Sequence, residues 1–457
     1  MSKATKFQPT QIVSAVFTGL ILLGAGVLTL PIATNSGKPT QFIDALFTSA
    51  SAVTVTGLST LNVETHWNLF GHVVIASLIE IGGIGIVGFA SLVAVLLEGR
   101  LSLKSKMLTT SEAGAVVVNI PGLLRNVVKI MLGFQAVIFL FLFFRFITEY
   151  HYEWNKALGH GIFHAISAFN NAGFALYADS MIGFARDGWI LIPMFCGVFI
   201  ASLGFPVIAE LRDRFKNFVS EKLHRKPKIK LPRQWSLNTR IVLWGSIALV
   251  AFGAIGIGFL EWNNPRTFGP LSPIDKILDS IFAAVMPRTA GFNSVDVTAM
   301  NPGSWLISEI LMFIGGASVS PSGGIKIGTA VVLLFIVITE IRGDNAVNIG
   351  NRRLPRSMQR QALAIVTITG AVVVAATVFL RVTTSYSLDQ IQLLVLSAVG
   401  TGGLDSGTTA TMTDLSKFVV CLLMLFGRLG PIVVATSIAL RRTKRHFDYP
   451  KERPLIG

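Results

Sequence analysis

At 457 residues, 52% of them hydrophobic and only 14% charged, with a mean hydropathy of +0.64, the chain has too little polar surface for a water-soluble globular domain. A net charge of +15 would suggest nucleic acid as the partner of a soluble protein, but here the charge gathers between long apolar runs, where bilayer topology accounts for it. Cys196 and Cys421 lie inside apolar runs, so no disulfide or metal framework follows from them.

Crossing roughly 30 Å of hydrocarbon takes about 20 helical residues. Runs of that kind fall at residues 12–30, 70–97, 127–147, 189–209, 241–260, 305–341, 362–380 and 418–440. The first lacks a convincing small-residue cleavage site and seven more follow, so it is read as a retained span rather than a signal peptide. Lys3 and Lys6 precede it, Arg100, Lys104 and Lys106 follow the second run, and residues 212–240 carry ten Lys and Arg. Residues 342–360 and 441–453 are similarly basic. If every run crosses once, these segments share one side, and the positive-inside rule places them and both termini in the cytoplasm.

On the opposite side sit four apolar stretches of about a dozen residues, too short to cross. They read FTSASAVTVTG ending at Gly57, FHAISAFNNAG ending at Gly173, FAAVMPRTAG ending at Gly291 and LLVLSAVGTGG ending at Gly403. The closing glycines are 116, 118 and 112 residues apart, which marks repetition of one unit. Ser272 with Pro273, and Ser387 with Asp389, are start signals for the third and fourth short helices. Each unit therefore predicts an outer span, a short re-entrant helix, an extended glycine segment and an inner span. The expected fold is all-α integral membrane, with eight transmembrane helices and four re-entrant pore helices in four pseudo-symmetric repeats. The repeats cover residues 1–100, 101–211, 212–342 (with the basic cytoplasmic loop) and 343–441, and a cytoplasmic tail covers 442–457.

Non-helical backbone survives at membrane depth only inside protein or along a water-filled cavity. Four such segments around one axis would offer rings of carbonyls to replace an ion's hydration shell, with the C-terminal ends of the short helices adding partial negative charge. The residues expected to do so are Val55, Thr56 and Gly57; Asn171, Ala172 and Gly173; Thr289, Ala290 and Gly291; and Thr401, Gly402 and Gly403. Extracellular loops whose glycines merely make turns would not need four matching helices before them.

The run 305–341 is 37 residues, too long for one straight span, and its centre reads GGASVSPSGGIK. Gly315, Gly316, Ser318, Ser320, Ser322, Gly323, Gly324 and Lys326 thus mark an irregular intramembrane loop; a simple kinked helix is the alternative. Arg428 lies in the last apolar run, where a charge is costly and functional or paired, Glu80 being a candidate partner. Arg288, within the third glycine motif, is expected to brace that segment, since its charge would repel cations.

TVTGL at residues 54–58, AFNNAGF at 168–174, PRTAGFN at 287–293 and GRLGP at 427–431 resemble motifs of the Ktr/Trk/HKT superfamily of potassium transporters, most closely its Ktr membrane-subunit branch, over nearly the whole chain. The resemblance implies potassium uptake across the bacterial inner membrane, a homodimer with one pore per subunit and, as partner, a cytosolic nucleotide-binding regulatory ring. It also implies that the four glycine segments form a selectivity filter, that the loop at 315–326 is a gate, and that Arg428 is an electrostatic barrier beside it. No cofactor is expected beyond potassium as transported ion, with sodium as coupling or activating ion left open. A glycine in all four filters goes with potassium in that family, whereas serine in the first often goes with sodium. The sequence departs from the pattern at Gly402, where Val or a larger residue is expected, and at Asp405, where a small polar residue is expected.

Other signals are weaker. Gly83, Gly85 and Gly88 form a G-x-G-x-x-G with no preceding strand, which reads as close helix packing. His160 and His164 lack a carboxylate to complete a metal site and read as packing or hydrogen bonding. Ser406 in GLDSG has no base beside it, and no Walker lysine motif is present, so an enzyme is not expected. A sodium or weakly selective pathway, and an organic-solute carrier with inverted repeats, are the competing transport readings. The unchanging orientation of the four units argues against the carrier.

Overall fold

The computed structural model describes residues 9–84, 120–222 and 234–440. Lys3, Lys6, Gly85, Gly88, the basic residues after the second run, residues 223–233 of the 212–240 stretch and the tail beyond residue 440 lie outside them.

The first unit comprises α1 (Pro9–Thr29), the short α2 (Phe42–Thr54), a single turn α3 (Val63–His66) and α4 (Leu69–Gly83). The second has α5 (Ile120–Thr148), the short α6 (Trp154–Phe169), α7 (Gly188–Ser202) and α8 (Phe205–Lys222). The third has α9 (Leu237–Glu261), the short α10 (Pro273–Val285), α11 (Pro302–Phe313) and α12 (Ile327–Arg342). The fourth has α13 (Arg356–Thr383), the short α14 (Leu388–Gly400) and α15 (Asp414–Leu440). The expected starts hold: Ser272 accepts the Asp275 N–H at the head of α10, and Ser387 forms a reciprocal capping box with Gln390 on α14.

Among the described residues, three helices are long and apolar enough to cross a membrane: Arg125–Thr148, Leu237–Glu261 and Arg356–Thr383. The pair α7 and α8 meets the same length and composition only when its two helices are taken together, as a broken span or a re-entrant loop, which corrects the expectation of one uninterrupted span at residues 189–209. The two helices meet at a bend of 106°. Gly204 takes φ +81, and a Cβ there would press on the Ser318 carbonyl. Main chain from the third unit fills the break: Phe205 N–H donates to the Val319 carbonyl at 3.1 Å and Ala317 N–H to the Ser202 carbonyl at 2.8 Å. The run 305–341 breaks as expected, into α11, an irregular loop and α12. One small departure from an all-helical chain is a hairpin of Asn348–Ile349 with Arg352–Arg353, turned by Gly350 at φ +57.

Packing follows a cyclic rule. Within each unit the outer helix lies on the short helix, and the inner helix lies on the short helix of the next unit: α4 on α6, α7 on α10, α11 on α14 and α15 on α2. The last pair joins the two ends of the sequence. The largest apolar core straddles that junction, joining Phe17, Phe47 and Ile79 to Val395, Val420 and Met424.

Candidate ion pathway

The glycine segments are set by how the short helices end. After α2, α6 and α14 the chain turns through a left-handed residue: Val55 at φ 58, Asn171 at φ 60 and Thr401 at φ 49. The next N–H then reaches back to a serine carbonyl, Thr56 to Ser51, Ala172 to Ser167 and Gly402 to Ser397, each at 2.8 Å. A β-branched side chain in this region is an outlier that persists only where its surroundings hold it. The third segment is one residue shorter between its Phe and its glycine, and it turns differently. A 3₁₀ turn, Met286–Arg288, follows α10, and the Met286 carbonyl receives the N–H groups of Thr289, Ala290 and Gly291 at 3.2, 2.8 and 2.9 Å. The Ser-Ala pair six residues before Gly57, Gly173 and Gly403 is a repeat signal that the sequence reading missed.

All four closing glycines have positive φ: 90 at Gly57, 71 at Gly173, 77 at Gly291 and 78 at Gly403. Each abuts the next segment. A Cβ on Gly57 would meet the Ala172 carbonyl, one on Gly173 the Ala290 carbonyl, one on Gly291 the Cα of Gly403, and one on Gly403 the Thr56 carbonyl. The order 1–2–3–4–1 closes a ring, and no side chain fits between its members. Gly402 has its own reason to lack a side chain, because a Cβ there would run into Met312 of α11. Asp405 is spent on its loop: its carboxylate accepts from the N–H and O–H groups of Thr408 (3.1 and 2.8 Å) and Thr409 (3.3 and 2.5 Å).

The loop between α11 and α12 lies against this ring. Gly323 stands at van der Waals distance from Thr401, so that a Cβ would overlap the Thr401 side chain. Gly315 faces the Gly323 carbonyl, Gly316 faces the Ser322 hydroxyl, and Gly324 takes φ +68 beside the Met312 and Phe313 carbonyls. Ser318 packs its carbonyl on Gly204, and Ser320 donates to the Ala317 carbonyl at 2.6 Å. Two cations hold the loop's main chain: Lys326 donates to the Ser322 carbonyl, and buried Arg428 donates to the Pro321 carbonyl and, at 2.7 Å, to the Gly82 carbonyl of α4. Glu80 is engaged elsewhere, accepting from Gln135 at 2.8 Å and Asn170 at 2.7 Å.

Arg288 is fully buried and donates to Ser246 on α9 at 3.2 Å, toward the outer helix of its own unit. His164 binds the His160 carbonyl through Nδ1 at 2.7 Å and accepts the Leu176 N–H at Nε2 at 3.2 Å, which ties α6 to the chain beyond Gly173. Gly83 allows α4 to approach the Asn170 side chain. Sequence reasoning also missed the buried pair of Lys417 with Asp44, 2.7 Å apart, whose partners are 373 residues apart.

Helices of membrane character, four short helices and four glycine turns meeting in a ring define a multi-pass membrane protein. The TrkH description, a cation transport protein, matches residues 4–446, and the chain belongs to that family. It is 35% identical to Ktr system potassium uptake protein B of Bacillus subtilis (strain 168) across 100% of this chain and 98% of that protein. Over 99% of this chain and 98% of the relative, it is 31% identical to the potassium/sodium uptake protein NtpJ of Enterococcus hirae. The crystal structure of the potassium transporter TrkH from Vibrio parahaemolyticus shares the fold, with a TM-score of 0.73 at 19% identity over 96% of this chain and 86% of that one.

Proposed function

We propose that this chain is the pore-forming subunit of a bacterial inner-membrane potassium uptake system, with eight crossings and both termini cytoplasmic. The closed ring of Gly57, Gly173, Gly291 and Gly403 carries this reading. Carbonyls of Val55, Thr56, Asn171, Ala172, Thr289, Ala290, Thr401 and Gly402 line the selectivity filter and replace the ion's hydration shell. The loop 315–326 is the gate, and Arg428 pins it while placing a positive charge beside the route. The chain works as a homodimer in membrane lipid under a cytosolic nucleotide-binding regulatory ring. The potassium relatives above support the substrate; the name of the potassium/sodium relative keeps sodium as a coupling or activating ion.

Rubidium uptake in bacterial cells lacking their own potassium systems tests it, with sodium varied and membrane abundance measured. Uptake is expected from the chain alone or with the regulatory ring supplied. Failure in both arrangements would sink the potassium assignment and bring the organic-solute carrier forward.

Two further results are expected. Deleting residues 318–322 raises rubidium flux severalfold in a folded protein, since that segment carries the Ser322 contact to Asn171; lowered or unchanged flux would count against a gate. Asp405→Asn shifts half-saturating potassium by less than about threefold, because its carboxylate is held by hydrogen bonds worth about 1 kcal/mol each rather than facing the ion. A tenfold shift in uptake kinetics would give it a direct role.

A further inference from the structure

Asn171 is one of the three left-handed residues that end the short helices, and it has a long polar side chain where Val55 and Thr401 have short ones. It is fully buried. Its Nδ2 donates to the Thr289 hydroxyl of the third glycine segment at 2.9 Å and to the Ser322 hydroxyl of the intramembrane loop at 3.2 Å. One amide thus holds two neighbouring filter segments and the loop together.

The loop side of this junction is fixed from elsewhere. Arg428 holds the Pro321 carbonyl and Lys326 holds the Ser322 carbonyl, so the main chain is anchored while the Ser322 hydroxyl is directed at Asn171. Ser322 is itself buried, so a loop that withdrew would leave the Asn171 amide to re-pair inside a water-poor site. Gly323, the next residue, lies against Thr401, so the same two loop residues touch the second and fourth quarters of the ring, and Asn171 carries the contact on to Thr289 in the third.

From this geometry we infer that Asn171 is a positioning residue that couples gate to filter: the loop's place beneath the ring and the spacing of the second and third segments are set through one side chain. The inference rests on the pore reading above and goes beyond it, because two independent parts would otherwise move without affecting each other. Withdrawal of Ser322 frees Asn171, Thr289 loses a fixed neighbour, and the ring relaxes where Ala172 and Ala290 present their carbonyls. Gate opening and ion preference then change together.

The test uses the full chain in liposomes, reading initial rubidium influx and the rubidium-over-sodium preference for Ser322→Ala, Asn171→Ala and the double variant. Ser322→Ala removes a hydroxyl from the loop and nothing from the ring, yet it is expected to raise influx and lower the preference, each by about three- to tenfold, the scale of one buried hydrogen bond. In the Asn171→Ala background the same substitution is expected to change neither further, the signature of a shared interaction. Ser322→Thr keeps the hydroxyl and should behave as the native chain, which separates the hydrogen bond from loss of packing. Equal effects of Ser322→Ala in both backgrounds, or raised influx with unchanged preference, overturn the coupling while leaving pore and gate standing. Should Ser322→Ala fold poorly, Thr289→Val must lower preference and raise influx together; a change in preference alone overturns the proposal. Absence of rubidium influx from the native chain would instead be a failure of the pore reading.

Discussion

Gly291→Ser is expected to cut rubidium uptake at least tenfold and to collapse the preference for rubidium over sodium, with membrane abundance within about twofold of native. A Cβ at this position would lie 2.5 Å from the Cα of Gly403 and 2.6 Å from the Gly402 carbonyl, and both obstacles are backbone. Neither can rotate away as a side chain could, so the fourth segment must move bodily. The residue also sits at φ +77, where a non-glycine costs about 1–2 kcal/mol. Strain and displacement both fall on the ring, while α10 and its packing against α9 are untouched. A folded Gly291→Ser with native uptake and preference would take this glycine out of the ion's route.

The third unit also shows how far local sequence carries. Its helix start was legible because Ser272 and Pro273 act within one turn, and its closing glycine was legible because the repeat spacing fixes it. The form of the turn between them was not: Pro287 and the shorter segment replace the left-handed step by a 3₁₀ turn, and no propensity rule predicts Val55 or Thr401 in the left-handed region. The break at Gly204 was hidden for another reason. Residues 189–209 are apolar throughout, and what bends them is main chain more than a hundred residues later, at Ala317 and Val319. Arg428 could be recognised as a costly charge with Glu80 as a possible partner, but its hydrogen bonds to the Pro321 and Gly82 carbonyls leave no mark in sequence. The link from Asn171 to Ser322 was likewise beyond reach, since both residue types are common and their separation follows no period.

Lys417→Met is expected to lower stability by about 3–5 kcal/mol, the cost of stranding a buried charge, measured by SDS titration of the purified chain from mild detergent. The ring has four junctions, and the chain runs directly through three of them. The fourth, where α15 meets α2, brings together the two ends of the sequence and is held by packing, by the Arg428 hydrogen bond to the Gly82 carbonyl and by this pair. Lys417 Nζ lies 2.7 Å from Asp44 Oδ1, which also accepts from the Thr60 hydroxyl at 2.7 Å, just beyond Gly57. Asp414 is a weaker neighbour of Lys417, 3.7 Å away and largely exposed, and adds little. The ion pair therefore closes the seam and fixes the chain on the far side of the first glycine. Asp44→Leu together with Lys417→Met should recover much of the lost stability, because the uncompensated charge disappears with its partner. It should lower rubidium preference relative to the single variant, since Thr60 loses its Asp44 acceptor beside Gly57 only when Asp44 is replaced. A single Lys417→Met that cost less than about 1 kcal/mol would mean that the seam between the fourth and first units closes without this ion pair.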